Sequence, residues 1–299
     1  MNHTLLISAE QLQALMASGQ PLRVFDCSFE LAQPHAGQQG YLEAHIPGAI
    51  YADLDTALSA RHGVPGAHGV LTATGADAPA SGGRHPLPNR EKFATWLSSV
   101  GMGNDMQAIV YDRNGANYCG RLWWMLKWAG HENVAVLDGG LQAWQTAGYS
   151  VNQGEEPAHF QSNFLTGAER VRLVDAQEVV SQLGRPAQTL VDARAVPRFR
   201  GEVEPLDPVA GHIPGALNRP FTLNLTPEGK FKSADQLKAE FTALLGQRDP
   251  ASVVHHCGSG VSALPNLIAM EIAGLGRTAL YAGSWSDWCQ NPARLVAQS

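Results

Sequence analysis

The pentapeptide His45-Ile46-Pro47-Gly48-Ala49 returns intact as His212-Ile213-Pro214-Gly215-Ala216. A string of that length around a Pro-Gly turn marks an internal duplication, and the rest of the chain aligns around its two copies. Ahead of each copy lies a helix start. Ser8-Ala9-Glu10-Gln11 reads as a capping box before Leu12, Leu15 and Met16, and Asp175-Ala176-Gln177-Glu178 stands in the same place before Val179, Val180 and Leu183. Each helix meets a strand that ends in aspartate, Leu22 to Asp26 and Thr189 to Asp192. Beyond the pentapeptide come two more apolar strands, Ala108 to Tyr111 and Ser252 to His255. Late in each half a strand runs into a glycine turn and a tryptophan, Val136 to Trp144 and Leu280 to Trp288. Strands alternating with helices predict two α/β domains, each a mainly parallel sheet with helices on both faces. The expected boundaries are 1–150 and 166–299, with a polar, Gly- and Pro-containing linker over 151–165. The Gly-, Ala- and Pro-dense stretch 61–83 is too long for an ordinary connection and reads as a flap or a tolerated insertion.

A chain of 299 residues with 44% apolar residues has material for two real cores. Its formal charge of -6, with both signs mixed along the chain and no Lys/Arg run, argues against nucleic acid as a partner. The N-terminus has no basic, long apolar or small-residue pattern of an export signal, and no apolar run approaches membrane-spanning length. A cytoplasmic protein without a membrane partner is expected. The four cysteines, Cys27, Cys119, Cys257 and Cys289, form no CxxC pair and no zinc-like spacing, so neither a metal nor another cofactor is implied.

One of these cysteines differs from the rest. Cys257 follows a strand and opens the loop Cys257-Gly258-Ser259-Gly260-Val261-Ser262, after which Ala263 to Met270 reads as a helix. Strand end, glycine turn and helix start aim backbone N–H groups at the sulfur, a setting that favours thiolate. The duplication supplies a control, because Asp112-Arg113-Asn114-Gly115 occupies the matching place in the first half. Only the second half can be a thiol site. A Cys-dependent phosphatase would need an arginine where Ala263 stands, so that chemistry is disfavoured.

Taken together, the doubled pentapeptide, Arg121 to Leu126, the Leu137-Asp138-Gly139-Gly140 turn, Asp192-Ala193-Arg194 and Gly283-Ser284-Trp285 resemble the tandem-domain rhodanese family of sulfurtransferases nearly end to end. The resemblance implies an inactive N-terminal domain and a C-terminal one whose Cys257 carries sulfur as a persulfide. The neutral loop is similar to that of the 3-mercaptopyruvate enzymes, with thiosulfate:cyanide sulfur transfer as the alternative and a catalytically silent binding module as a rival of another class. It also implies a triad of Ser259, His85 and Asp55, the last two from the N-terminal half, with Asp53 as the other candidate for the acid. Arg198 would grip the donor's carboxylate, with Gly258, Gly260, Val261 and Ser262 completing the donor site. A second arginine, which such enzymes often have in a Pro-Arg pair, is absent, since Leu206 follows Pro205. The implied partners are a small sulfur donor and a thiol, cyanide or thioredoxin-like acceptor. The pentapeptide histidines, present in both halves, are expected to be architectural. Basic side chains at Gly258 and Ser259 are expected to turn preference toward thiosulfate.

Overall fold

The computed structural model describes residues 2–60 and 78–299. Most of the 61–83 stretch, residues 61–77, lies outside them. The described residues form two compact units, one of 2–60, 88–170 and 226–231, the other of 78–87, 171–225 and 232–299.

In the first unit the order is β1 (Leu6–Ile7), α1 (Ala9–Ala17), β2 (Leu22–Asp26), α2 (Ala36–Glu43), β3 (Ile50–Tyr51), α3 (Arg90–Ser99), β4 (Gln107–Tyr111), α4 (Cys119–Trp128), β5 (Val134–Leu137) and α5 (Gly140–Thr146). The capping box that opens α1 is formed on both sides, between Ser8 and Gln11. All strand pairs are parallel and the sheet order is β1-β5-β4-β2-β3.

The second unit repeats this plan with β6 (Arg172–Val174), α6 (Ala176–Ser181), β7 (Thr189–Asp192), α7 (Val196–Arg200), β8 (Leu217–Asn218), α8 (Ala234–Leu245), β9 (Val253–His256), α9 (Leu264–Ile272), β10 (Ala279–Tyr281) and α10 (Ser284–Trp288). Its sheet order, β6-β10-β9-β7-β8, is the first sheet's order again, and every pair is parallel. Even the register is kept, since Asp26 pairs with Tyr111 and Asp192 with His256 at the end of the central strands. The residue that follows each of these strands, Asp112 or Cys257, therefore stands at the C-terminal edge of a parallel sheet, where such folds place their sites.

The duplicated histidines do the same work twice. His45 Nδ1 donates to the Tyr41 carbonyl at 2.7 Å with its ring stacked on Tyr41, and His212 Nδ1 donates to the Phe199 carbonyl at 2.8 Å, stacked on Phe199. The main chain of each also makes an antiparallel bridge, His45 with Asn152 and His212 with Ala297. The stretch 151–165, expected to act as a linker, lies along the first unit. Glu156 accepts from Gly48 N, Ser162 N donates to the Ser98 carbonyl, and Phe164 is buried.

Candidate functional site

Cys257 is the first residue beyond β9, and α9 starts at Leu264, one residue later than its sequence suggests, so residues 258–263 form the intervening loop. The thiol is buried. Its backbone is tied down from one side: Cys257 N donates to Ser284 Oγ at 3.0 Å, and the Cys257 and Gly258 carbonyls accept from Trp285 N and Ser286 N. Gly260 turns the loop at φ +74°, where a Cβ would also run into the Ala282 carbonyl, so glycine is required on both counts.

The first unit shows what such a loop does. There α4 starts at Cys119, at the same remove from Asp112 that α9 has from Cys257, and the loop closes on the Asp112 carboxylate. Four backbone N–H groups, of Asn114, Ala116, Tyr118 and Cys119, donate to it at 2.8–3.0 Å. The first unit's loop is thus an anion cradle filled by its own aspartate, and the matching position of the second unit's loop carries a thiol.

The other three thiols have different surroundings. Burial, with Asp26 and Asp112 adding to it, pushes the Cys27 thiol well up, and burial followed by Asp112 does the same to Cys119. Cys289 is pushed up to about 11, again chiefly by burial. All four cysteines are free.

His85 and Ser259 lie together, with His85 Nδ1 2.8 Å from Ser259 Oγ and both side chains nearly buried. Both belong to the second unit, because residues 78–87 pack there although they precede most of the first unit in the chain. Gly83 helps to seat this segment: its φ is +87°, and a Cβ on it would run into the Gly283 carbonyl. Asp55 stands in the first unit, on an exposed turn that Asp53 organises. Asp53 Oδ1 accepts from Asp55 N, Thr56 N and Thr56 Oγ1, so Asp53 has the hydrogen bonds of a turn cap.

Arg198, on α7, pairs with Glu204 at 2.7 Å and with Asp207 at 3.3 Å. A Cβ built on Gly258 would sit 3.4 Å from Arg198 Nη1 and 3.3 Å from Arg84 Nη2. Two guanidinium groups therefore already lie over the residue after Cys257. A basic side chain at Gly258 would stand beside these two groups. Val261 is buried and Ser262 half-buried in the same loop. The two histidines before Cys257 are fully buried, His255 Nε2 against Met270 Sδ at 3.2 Å and His256 with Nδ1 3.9 Å from Asp192. Burial lowers both, His255 to about 3, with Asp192 opposing the shift in His256. Among the described residues no group of three or more His, Cys, Asp or Glu side chains is placed to hold a metal ion.

Sequence reasoning passed over two side chains here. Arg84 stands next to His85 but in a segment whose fold it could not foresee. In the sequence Ser284 stands out only as part of a Gly-Ser-Trp string, although its φ of +54° is unusual for a side chain other than glycine. The matching residue of the first unit is Gly140, at φ +58°.

Comparison with known proteins agrees with this architecture. The rhodanese-like domain matches twice, at residues 8–147 and 175–291. A Pseudomonas aeruginosa protein named as a probable 3-mercaptopyruvate sulfurtransferase is 44% identical over 99% of both chains. The bovine thiosulfate sulfurtransferase is 32% identical over 90% of this chain and 86% of its own. Among solved structures, SseA from Escherichia coli superposes with a TM-score of 0.76 at 29% identity, covering 95% of this chain and all of that one. The chain belongs to the rhodanese family, as a protein with two rhodanese-like domains.

Proposed function

We propose that the protein is a sulfurtransferase that moves a sulfane sulfur from 3-mercaptopyruvate to a thiol or cyanide acceptor through a persulfide on Cys257. The observation that carries the reading is the cradle loop. Its first copy holds a carboxylate with four N–H groups, and its second copy has a thiol in that place, so the fold that holds the Asp112 anion suits a sulfur anion at Cys257. By the alignment of the two loops, the amides of Ser259, Val261 and Ala263 correspond to those of Asn114, Ala116 and Tyr118.

In the proposed cycle the Cys257 thiolate attacks the donor's sulfur and an S–S bond forms. The donor's C–S bond breaks, and its electron pair leaves on carbon as the enolate of pyruvate. That enolate takes a proton, for which Ser259 with His85 behind it is the candidate relay. Asp55 is the candidate third member, as the family resemblance implies. Arg198 holds the donor's carboxylate, and Gly258, Gly260, Val261 and Ser262 shape the wall around it. An acceptor thiolate or cyanide then attacks the outer sulfur and restores the Cys257 thiolate. A thioredoxin-like dithiol suits the acceptor role, and four free thiols suit a reducing cytoplasm.

The test compares initial rates with two donors, as pyruvate released from mercaptopyruvate and thiocyanate formed from thiosulfate and cyanide. Mercaptopyruvate is expected to lead by about tenfold or more in kcat/KM, a difference of ~1.4 kcal/mol in transition-state binding. Cys257→Ser is expected to abolish transfer from either donor while the Cys27→Ser, Cys119→Ser and Cys289→Ser proteins keep it. A wide preference for thiosulfate would make the protein a thiosulfate:cyanide sulfurtransferase instead, and turnover by Cys257→Ser would remove the persulfide mechanism.

A further inference from the structure

The first three residues of α10 hold the nucleophile's loop by its main chain. Ser284 Oγ accepts from Cys257 N, Trp285 N donates to the Cys257 carbonyl, and Ser286 N donates to the Gly258 carbonyl at 2.8 Å. The N–H groups at a helix start have no partner within their own helix, so the loop that carries Cys257 supplies acceptors that α10 lacks. Ser286, 4% exposed, also uses its hydroxyl: Oγ accepts from Arg84 N at 2.9 Å and donates to the Gly283 carbonyl at 3.3 Å. Arg84 is the neighbour of His85, and its side chain pairs with the buried Asp207 at 2.7 Å. The segment around them closes on itself, with Ala80 N donating to the Leu87 carbonyl and Leu87 N to Ser81 Oγ, each at 2.8 Å. It approaches α10 so closely that a Cβ on Gly82 would lie 2.7 Å from the Asp287 carboxylate and one on Gly83 2.9 Å from Ser286 Oγ.

These contacts form a closed ring. From Ser259 the chain steps back to Gly258, whose carbonyl takes Ser286 N, and Ser286 Oγ in turn takes Arg84 N. Arg84 leads to His85, and His85 Nδ1 returns to Ser259 Oγ at 2.8 Å. We propose that Ser286 is the positioning residue of this ring: it holds His85 in register with Ser259 and thereby favours donors whose departure needs a proton. The proposal rests on Ser259 and His85 relaying a proton to the pyruvate enolate, and it names the residue that keeps the relay aligned. Thiosulfate supplies the contrast. When the Cys257 thiolate attacks its outer sulfur, the S–S bond of thiosulfate breaks and the electron pair leaves on sulfite, a stable anion that needs no proton to depart. With mercaptopyruvate the pair leaves on carbon, and that carbon must take a proton before pyruvate is complete. A relay held by Ser286 therefore speeds one donor and not the other. Such alignment matters because general acid–base help is worth about 10²–10⁴-fold only within hydrogen-bond reach, and a misplacement of about 1 Å can cost about 10²-fold.

The experiment uses the full-length protein with Ser286→Ala, Ser286→Thr, His85→Gln and the combined Ser286→Ala and His85→Gln variant, each checked for an unchanged circular dichroism spectrum. Steady-state rates are taken with mercaptopyruvate and with thiosulfate. Modification of His85 by diethyl pyrocarbonate, followed by mass spectrometry of its peptide, reports the seating of the ring without any donor. Ser286→Ala is expected to lower kcat for mercaptopyruvate about tenfold, with KM and the thiosulfate rate changed less than about threefold. It is also expected to speed His85 modification severalfold and to add no further loss once His85→Gln is present. Ser286→Thr, which keeps the hydroxyl, is expected to stay near the parent in every readout. Equal losses with the two donors, or losses from Ser286→Ala and His85→Gln that multiply, overturn the positioning role and leave the donor reading standing. If the parent turns over thiosulfate and not mercaptopyruvate, the donor reading fails, and the modification rate then decides the seating on its own. A faster rate in Ser286→Ala keeps His85 seated by Ser286, and a rate equal to the parent's removes it. Should Ser286→Ala fail to fold, Ser286→Cys, whose sulfur is a weak acceptor, takes its place in every comparison.

Discussion

Ser284 holds a left-handed backbone conformation at the cost of strain, and its side chain explains why. Its Oγ accepts from Cys257 N at 3.0 Å and donates to the Tyr281 carbonyl at 2.9 Å, so the hydroxyl ties the Cys257 backbone to the end of β10. In the first half, where Asp112 stands in the place of Cys257, Gly140 takes the same dihedral without strain. Ser284→Gly is expected to gain roughly 1–2 kcal/mol from relaxed φ and to lose a similar amount from the unsatisfied Cys257 N–H. Its melting temperature is therefore expected to move by only a few degrees, while kcat for sulfur transfer falls by about tenfold or more because the thiol is no longer held. A variant with parental kcat would show that the hydroxyl is structural only.

At the scale of elements, the cradle loops differ in what closes them. The first is closed by a covalent part of the chain, and its four N–H donors share Asp112 as acceptor, three of them in buried hydrogen bonds. Asp112→Ala would leave them without it, and hydrogen bonds to a charged group contribute about 1.5–3 kcal/mol each. We expect Asp112→Ala to destabilise the protein by about 3 kcal/mol or more in urea unfolding, and added acetate or sulfate to recover part of that loss. Sulfur transfer per folded molecule is expected to be kept, since Cys257 lies in the other unit. Failure of any anion to restore stability would mean that the loop rearranges rather than holding an open cradle. The start of α9 at Leu264 was legible only to within a residue, because no capping side chain marks it.

Across the molecule as a whole, buried histidines make stability depend on pH. His255 is lowered to about 3 and His256 is lowered as well, both mainly by burial, so the unfolded chain binds protons below pH ~6.5 that the folded chain refuses. Stability is thus fully present above the unfolded value near 6.5 and falls as pH drops from there toward 3, at up to about 1.4 kcal/mol per pH unit for each such histidine. The carboxyl of Asp192, held below its usual range by His256 and Arg194 against the opposing effect of burial, adds to the loss in the lower part of that window. Urea midpoints at pH 7 and pH 5 are expected to differ markedly for the parent and less for His255→Leu, which removes one proton-binding group from the unfolded chain. Equal pH dependence in the two proteins would mean that His255 is not the group responsible.

The sequence by itself determined the duplication, the parallel α/β character of both halves and the placing of a lone thiol at a strand-to-loop transition. These follow from local periodicity, from turn residues and from the repeat of a string, all of which are short-range properties that a chain carries in its order. Ser259, His85 and Arg198 came from the resemblance to the rhodanese family, each within a short segment that matches a family motif. What only the tertiary structure decided is which segments meet. Residues 78–87 pack with the second unit, bringing His85 to Ser259 and Arg84 over Gly258, and nothing in their composition announces that choice. Asp207 and Glu204 read as ordinary loop acids until burial turns them into the counter-charges of two arginines. The physical reason is that hydrogen bonds and ion pairs between distant segments depend on the packing of the whole unit, whereas helix caps, strand alternation and glycine turns depend on neighbours a few residues away.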